Sequence, residues 1–174
     1  MSLLNQAPIE RHTIAVWVDN EPGVLARVIG LFSGRGYNIE SLTVAEIQDT
    51  DHVSRITIVT EGTPMIIEQI KAQLERLVPV HRVRDLTTEG PAVERELALI
   101  KVIGNGDKRV EALRIADIFR ARTVDSTVEH FVFELTGATD KINAFIDLMK
   151  PLGLTSVSRT GIVAMSRGTK LRDS

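Results

Sequence analysis

Residues 16–44 read Val16-Trp17-Val18-Asp19-Asn20-Glu21-Pro22-Gly23-Val24-Leu25-Ala26-Arg27-Val28-Ile29-Gly30-Leu31-Phe32-Ser33-Gly34-Arg35-Gly36-Tyr37-Asn38-Ile39-Glu40-Ser41-Leu42-Thr43-Val44, a strand, a loop, a helix and a second strand. Ile14, Val16 and Val18 alternate toward one side, as a half-buried strand requires, and Asp19-Asn20-Glu21-Pro22-Gly23 breaks that period with turn formers. A helix follows. Leu25, Val28 and Phe32 recur at i, i+3 and i+7, Val24 and Leu31 widen the stripe, and Gly34 and Gly36 end it before Tyr37 enters the next strand.

A loop of this shape can hold a small anion. The first turn of a helix leaves backbone N–H groups without intrahelical partners and carries partial positive charge, here at Gly23, Val24 and Leu25. A carboxylate suits that place, while the amide oxygens of Asn20 and Asn38 suit an ammonium group. Together they fit an α-amino acid. The plainer alternative is that both asparagines are turn residues and Gly23 an ordinary helix-start glycine, and the loop alone does not exclude it.

Outward from this stretch, the chain is ordered by the same periodicities. Residues 1–11 form a lead-in without a period, and the first strand runs from about His12 to Val18. Asn38 to Glu46 makes a second strand, Gln48-Asp49-Thr50-Asp51 a turn, and Ser54, Ile56 and Ile58 alternate with Arg55, Thr57 and Val59 in a third. Thr63 caps a second helix with Pro64 at its first position, Ile67, Ile70, Leu74 and Leu77 give its buried stripe, and Pro79 stops it before a fourth strand from Val80 to Leu86. The order βαββαβ, with right-handed crossovers, puts both helices on one face of a four-stranded antiparallel sheet, the ferredoxin-like plan of the α+β class.

Thr87-Thr88-Glu89-Gly90-Pro91 interrupts every period, so residues 12–87 read as one domain and 88–93 as a linker. Residues 94–166 repeat the order. Leu97 to Ile103 is a strand, and a helix after Asn105-Gly106-Asp107 carries Ala112, Ile115, Ala116 and Phe119 on one face. Thr123–Ser126 and Phe131–Leu135 make a hairpin, Thr139 or Asp140 caps a helix through Ile142, Phe145, Ile146 and Met149, and Leu154–Arg159 is a last strand. Residues 167–174 are a polar tail.

Composition narrows the chemistry. The 174 residues are 43% hydrophobic and 25% charged with a net charge of −2, an ordinary globular balance with nothing that attracts nucleic-acid phosphates or an anionic membrane. No apolar run approaches the roughly 20 residues of a membrane span, and Met1–Arg11 lacks the apolar centre of a signal peptide, so a cytoplasmic setting is expected. The absence of cysteine excludes disulfides, thiol nucleophiles and cysteine-ligated metals. His12, His52, His81 and His130 fall in four separate segments without ligand spacing and read as surface or strand-end residues, so no metal site is expected. Glu21, Glu40 and Glu46 read as solvated charges, no serine sits in a nucleophile motif, and Gly34-x-Gly36 follows a helix instead of opening one. No catalytic residue is therefore expected. A ferredoxin-like sheet can also bind RNA through exposed aromatics, but aromatic residues are 4% of the chain. Trp17, Thr57 and Val59 read as a surface that a second sheet or a partner covers.

The run Asn20-Glu21-Pro22-Gly23-Val24-Leu25-Ala26-Arg27-Val28 followed by Arg35-Gly36-Tyr37-Asn38-Ile39-Glu40-Ser41-Leu42 closely resembles the ACT domain of acetolactate synthase regulatory (small) subunits. The second half resembles the same family through Glu94–Val102, Ile118-Phe119-Arg120-Ala121 and Ser158–Ala164, and departs from it at Thr123, where the family more usually has an apolar residue. The resemblance implies a non-catalytic regulatory subunit. Its partner would be the catalytic large subunit, which condenses pyruvate units with thiamine diphosphate, magnesium and flavin, none of which should bind here. The small subunit would raise that activity and confer feedback inhibition by a branched-chain amino acid, most often valine. It further implies a homodimer or higher oligomer with the effector held between Asn20, Gly23, Val24 and Leu25 of one chain and Asn38 and Ile39 of its neighbour. The order of strands agrees, because an unpaired second strand invites a partner's second strand. Two other functions stay open: an amino-acid sensor acting on a different enzyme or a transcription factor, and an enzyme whose site follows none of the motifs sought.

Overall fold

The computed structural model describes residues 7–47 and 52–169; the turn expected at Gln48–Asp51 lies outside the described residues. The chain divides into two compact units, one of residues up to Val93 together with the segment from Ala164, the other Glu94–Val163.

The first unit runs β1 (Glu10–Asp19), α1 (Val24–Arg35), β2 (Ile39–Glu46), β3 (Val53–Gly62), α2 (Pro64–Glu75) and β4 (Val80–Asp85). Its strands pair antiparallel in the order β2-β3-β1-β4, which leaves β2 and β4 at the edges. Ile14, Val16 and Val18 of β1 and Ile56 and Ile58 of β3 are buried with Val24, Val28 and Phe32 of α1 and Ile67, Ile70 and Leu74 of α2. Both helices therefore cover one face of the sheet. Each such side chain removed from water contributes about 1.5–3 kcal/mol, and the strand and helix periods meet only in this arrangement. Thr63 caps α2 as expected, its hydroxyl accepting from the Ile66 amide at 3.4 Å with Pro64 in the first turn. In α1 Val24, Val28 and Phe32 are buried as expected, and Leu25 is only partly so. The helix closes where Gly36 and Tyr37 donate back to the Phe32 carbonyl.

The second unit repeats the ferredoxin-like order. It runs β5 (Ala92–Ile103), α3 (Gly106–Phe119), β6 (Arg122–Ser126), β7 (His130–Gly137), α4 (Thr139–Met149), a 3-10 turn (Lys150–Leu152) and β8 (Leu154–Arg159), with strand order β6-β7-β5-β8. Ala98, Ile100 and Val102 face Phe131, Phe133 and Leu135 on the sheet and Ala112, Ile115, Ile142 and Phe145 on the helices. At Gly153, where φ is +107°, a β-carbon would lie 1.8 Å from the Ile103 carbonyl oxygen, so the return into β8 tolerates glycine alone. The departure at Thr123 falls beside a register shift in the β6–β7 pairing, between Thr123 and Asp125.

Three expectations are corrected. The residue that caps α4 is Ala138, neither Thr139 nor Asp140; the Asp140 carboxylate accepts from the adjacent Lys141 amide, and the Thr139 hydroxyl is buried without a partner. β5 begins at Ala92, within the stretch expected as linker. A ninth strand, β9 (Val163–Ser166), pairs with β5, and from Ala164 on the chain groups with the first unit, where Ala164 packs beside Trp17.

Candidate functional site

The loop between β1 and α1 is held at its base by the Asn20 amide, which donates to the His52 carbonyl at 2.6 Å. Gly23 follows as the residue before the helix with φ +86° and open space on its side-chain side. That left-handed conformation turns the chain into α1 without covering the helix start, and any side chain there would be strained as well as obstructive. Of the amides expected to face a ligand, Val24 is engaged, donating to the Glu21 carbonyl at 3.3 Å. The Leu25 and Ala26 amides find no acceptor among the described residues. No side chain caps the helix start and the first turn carries no carboxylate. Exposed Arg27 comes next in sequence.

This helix start differs from the other three. α2 has its threonine cap, α3 has Asp107 in its first turn, and α4 has Asp140. In each of those the chain itself supplies oxygen or negative charge to the positive end of the helix dipole. Only α1 leaves that end for something else.

Ile39 opens β2 and Asn38 immediately precedes it. Asn38 is exposed and its backbone carbonyl accepts from the Thr60 hydroxyl at 2.5 Å. Ile39 pairs with Thr60, and Thr60 with His12 at the beginning of β1. Asn20 lies past the far end of that strand, where Asp19 pairs with Val53. At about 3.3 Å per residue the two asparagines of one chain are therefore roughly 25 Å apart. One chain brings Asn20, Gly23, Val24 and Leu25 together and leaves Asn38 and Ile39 at the opposite end of the sheet.

Beside Asn38, Glu40 is bonded to Arg11 at 2.9 Å. Its carboxylate also accepts a hydrogen bond from the Glu61 carboxyl, and this bond and the like charge raise the Glu61 pKa above its ordinary value.

The histidines need one revision. His12 is not a surface residue: it is 5% exposed, with Nδ1 2.7 Å from Asp85 and Nε2 3.1 Å from Glu10. Two carboxylates replace the water it gives up. Asp85 also accepts from the Thr87 amide, and the Thr87 hydroxyl accepts from the Thr13 amide, so the group ties the end of β4 to β1. The separation of 73 positions between His12 and Asp85 hid this pair from any spacing rule. Among the described residues His12 is bonded to carboxylates alone, and with them it ties β1 to the end of β4. Trp17 is 5% exposed and presents no open ring face for stacking a base.

In the second unit a cleft of about 390 Å³ lies at the start of α3, lined by Ile103, Gly104, Asn105, Lys108, Glu129 and Gly153. Its polar side chains are exposed, so it reads as a solvated groove. Among the described residues no group of three or more His, Asp or Glu is placed to hold a metal ion, and no helix is long and apolar enough to cross a membrane.

Comparison with known proteins covers both units. Residues 14–82 match the family described as the AHAS small subunit-like ACT domain, and residues 95–168 that described as the small subunit of acetolactate synthase. The acetolactate synthase small subunit of Aquifex aeolicus is 46% identical over 171 residues, 98% of this chain and 88% of that one. The acetolactate synthase isozyme 3 small subunit of Escherichia coli is 44% identical over 162 residues, 92% of this chain and 98% of that one. The crystal structure of the acetolactate synthase small subunit from Thermotoga maritima superposes with a TM-score of 0.83 at 40% identity, covering 92% of this chain and 99% of that one. With both sheets and nearly the whole length matched, this chain belongs to the acetolactate synthase small-subunit family.

Proposed function

We propose that this chain regulates an acetolactate synthase large subunit, raising its activity and making it sensitive to a branched-chain amino acid, valine first. The observation that carries the reading is the start of α1, which alone among the four helices lacks both a capping side chain and an acid in its first turn. The ligand's carboxylate takes the Leu25 and Ala26 amides, and a short branched side chain meets partly buried Leu25 and Ile39. Its ammonium group takes the amide oxygens of Asn20 and Asn38.

The roughly 25 Å between those two asparagines in one chain requires a second copy. β2 is an edge strand with Val44 exposed on it. Antiparallel pairing of two β2 strands about an axis near Leu42–Thr43 carries Asn38 of one chain toward Glu46 of the other, and Glu46 is the end of β2 nearest Asp19 through Ser54 and Val53. The effector is then held by both copies. It inhibits by binding the inhibited arrangement of the holoenzyme more tightly than the active one, by about 1–3 kcal/mol. Thiamine diphosphate, magnesium and flavin belong to the catalytic partner, and this chain turns over nothing by itself.

Reconstitution tests the reading. The purified chain is mixed with its large subunit and acetolactate formation is followed with and without valine. Activation on mixing, inhibition by valine and no turnover by the chain alone are expected. Gly23→Asp should blunt the inhibition and spare the activation; pyruvate turnover by the isolated chain, or a monomer in sedimentation with valine present, would overturn the reading.

A further inference from the structure

We infer that His81 is a positioning residue for the Asn20–Leu25 loop: through Asp19 it holds the chain in the course that leaves the start of α1 open. The inference rests on the effector reading of that loop given above.

The two units frame this loop alike. In the first, the Asp19 amide donates to the Pro79 carbonyl at 2.9 Å and the Asn20 amide to the His52 carbonyl at 2.6 Å. In the second, the Ile103 amide donates to the Gly153 carbonyl at 2.8 Å and the Gly104 amide to the Glu129 carbonyl at 3.0 Å. The edge strand beside each frame carries the same bulge. Trp17 and Val18 of β1 pair with Arg82 and Val80 of β4, leaving His81 as the extra residue; Lys101 and Val102 of β5 pair with Ser156 and Leu154 of β8, leaving Thr155. A bulge of this kind takes one side chain out of the alternation of its strand and re-aims it.

The two extra residues are aimed differently. Thr155 turns back on its own sheet, its hydroxyl donating to the Lys101 carbonyl at 3.1 Å. His81 reaches the side chain of Asp19, its Nε2 lying 2.5 Å from Oδ1. A carboxylate only accepts, so the ring donates. In the second unit Ile103 stands where Asp19 does, and its side chain has no acceptor.

The connection that follows is also longer in the first unit, residues 20–23 ahead of α1 against 104–105 ahead of α3. Past Asn20 this longer loop bonds to itself and to its own helix, the Val24 amide to the Glu21 carbonyl at 3.3 Å and the Arg27 amide to the Gly23 carbonyl at 3.1 Å. Its course therefore depends on how Asp19 and Asn20 are held, and the His81 ring adds a side-chain hold to the two backbone bonds that both units share. The pair is exposed, with 53% of the His81 side chain and 39% of the Asp19 side chain open to solvent, so it adds little to the stability of the fold. Its effect falls on the loop: a fixed Asp19 lowers the ordering cost that a ligand meets on engaging Asn20 and the Leu25 and Ala26 amides.

The full-length chain is tested by two readouts. Amide hydrogen exchange over residues 20–26 of the ligand-free chain reads the loop itself, and calorimetry reads valine affinity, for the wild type, His81→Ala, His81→Gln, Asp19→Ala, the double variant of His81→Ala with Asp19→Ala, and Thr155→Ala. Thermal melts report folding. In His81→Ala the exchange should be faster and valine affinity lower by about 2- to 5-fold, the range open to an exposed ion pair, with the melting temperature nearly unmoved. His81→Gln, whose amide nitrogen can donate to Asp19 in place of Nε2, should restore both; the double variant should lose no more than Asp19→Ala alone, and Thr155→Ala should change neither. Unchanged exchange in folded His81→Ala overturns the positioning, and faster exchange with unchanged affinity overturns its bearing on the effector. A loss that glutamine leaves unrepaired, or that adds to the Asp19→Ala loss, overturns the route through Asp19. Failure of the wild type to bind valine, leucine or isoleucine removes the effector reading, while the exchange comparison still decides whether His81 holds the loop.

Discussion

The starts of α1 and α3 occupy the same place in two copies of one βαββαβ order, and they are built in opposite ways. α3 carries Asp107 in its first turn, and α1 carries neither an acid nor a capping side chain. A first-turn carboxylate supplies the negative charge that the end of α3 favours, although no side chain caps it; a start without one is a place for a ligand anion. The cores differ in the same spirit. The second unit is locked by rings, Phe145 lying edge-on to Phe119 at 5.4 Å and to Phe133 at 6.0 Å. In the first, Phe32 is the one buried phenylalanine among isoleucines and valines, edge-on to Tyr37 at 6.1 Å. Two units of equal topology thus divide into a closed one and one left open at a defined point.

The largest expected effect breaks the closed core. Phe145→Ala should cost the second unit about 3–5 kcal/mol, read in urea unfolding by circular dichroism, while the Trp17 fluorescence transition, which reports the first unit, stays in place. If both transitions shift together, the two units unfold as one and the contrast between them is kinetic at most.

Next in size is Asn38→Ala, expected to weaken valine binding by about 1–3 kcal/mol if its amide is buried at the site. Calorimetry on the folded variant checks it. An unchanged affinity would place the ammonium group elsewhere.

A reciprocal pair sharpens the contrast between the helix starts. Ala26→Asp writes into α1 the acid that α3 already has, and should stabilise the chain by about 0.3–1 kcal/mol while lowering valine affinity; Asp107→Asn should lose a similar amount of stability and leave affinity alone. Opposite signs in stability and affinity at Ala26 separate competition for the helix start from simple damage. Thermal melts and calorimetry on the same samples read both.

The smallest effect concerns the edge beside Asn38. Glu61 has a raised pKa because its carboxyl is hydrogen-bonded to the Glu40 carboxylate, whose charge adds to the effect. A carboxyl whose folded pKa is raised contributes stability at pH below its unfolded pKa and loses it as the pH rises through the folded one. Glu61→Gln should therefore raise the melting temperature slightly at pH 7 and not at pH 4. A gain at both values would mean the charge repulsion is not the cause.

Much of this was legible in the residues taken alone. The strand alternation Ile14-Val16-Val18, the helix stripes, the Thr63-Pro64 helix start and Gly36 at the close of α1 are local patterns, and local patterns set which face each element buries, whereas Gly34, expected to end α1 as well, lies inside the helix. The run from Asn20 to Leu42 was enough to point to the family. The caps were less secure: Ala138 precedes α4 where Thr139 or Asp140 was expected, because an N-cap depends on one residue's backbone angles more than on its side-chain type.

What the tertiary structure alone decided is which distant residues meet. That His12 is buried against Asp85, that Arg55 holds the carbonyl of Ala164 across 109 positions, and that Asn20 and Asn38 lie at opposite ends of one sheet follow from strand register and chain return. A period of two or of 3.6 specifies a face. It carries no address for the partner that covers that face, since the free energy of such a contact belongs to two segments at once and is written in neither.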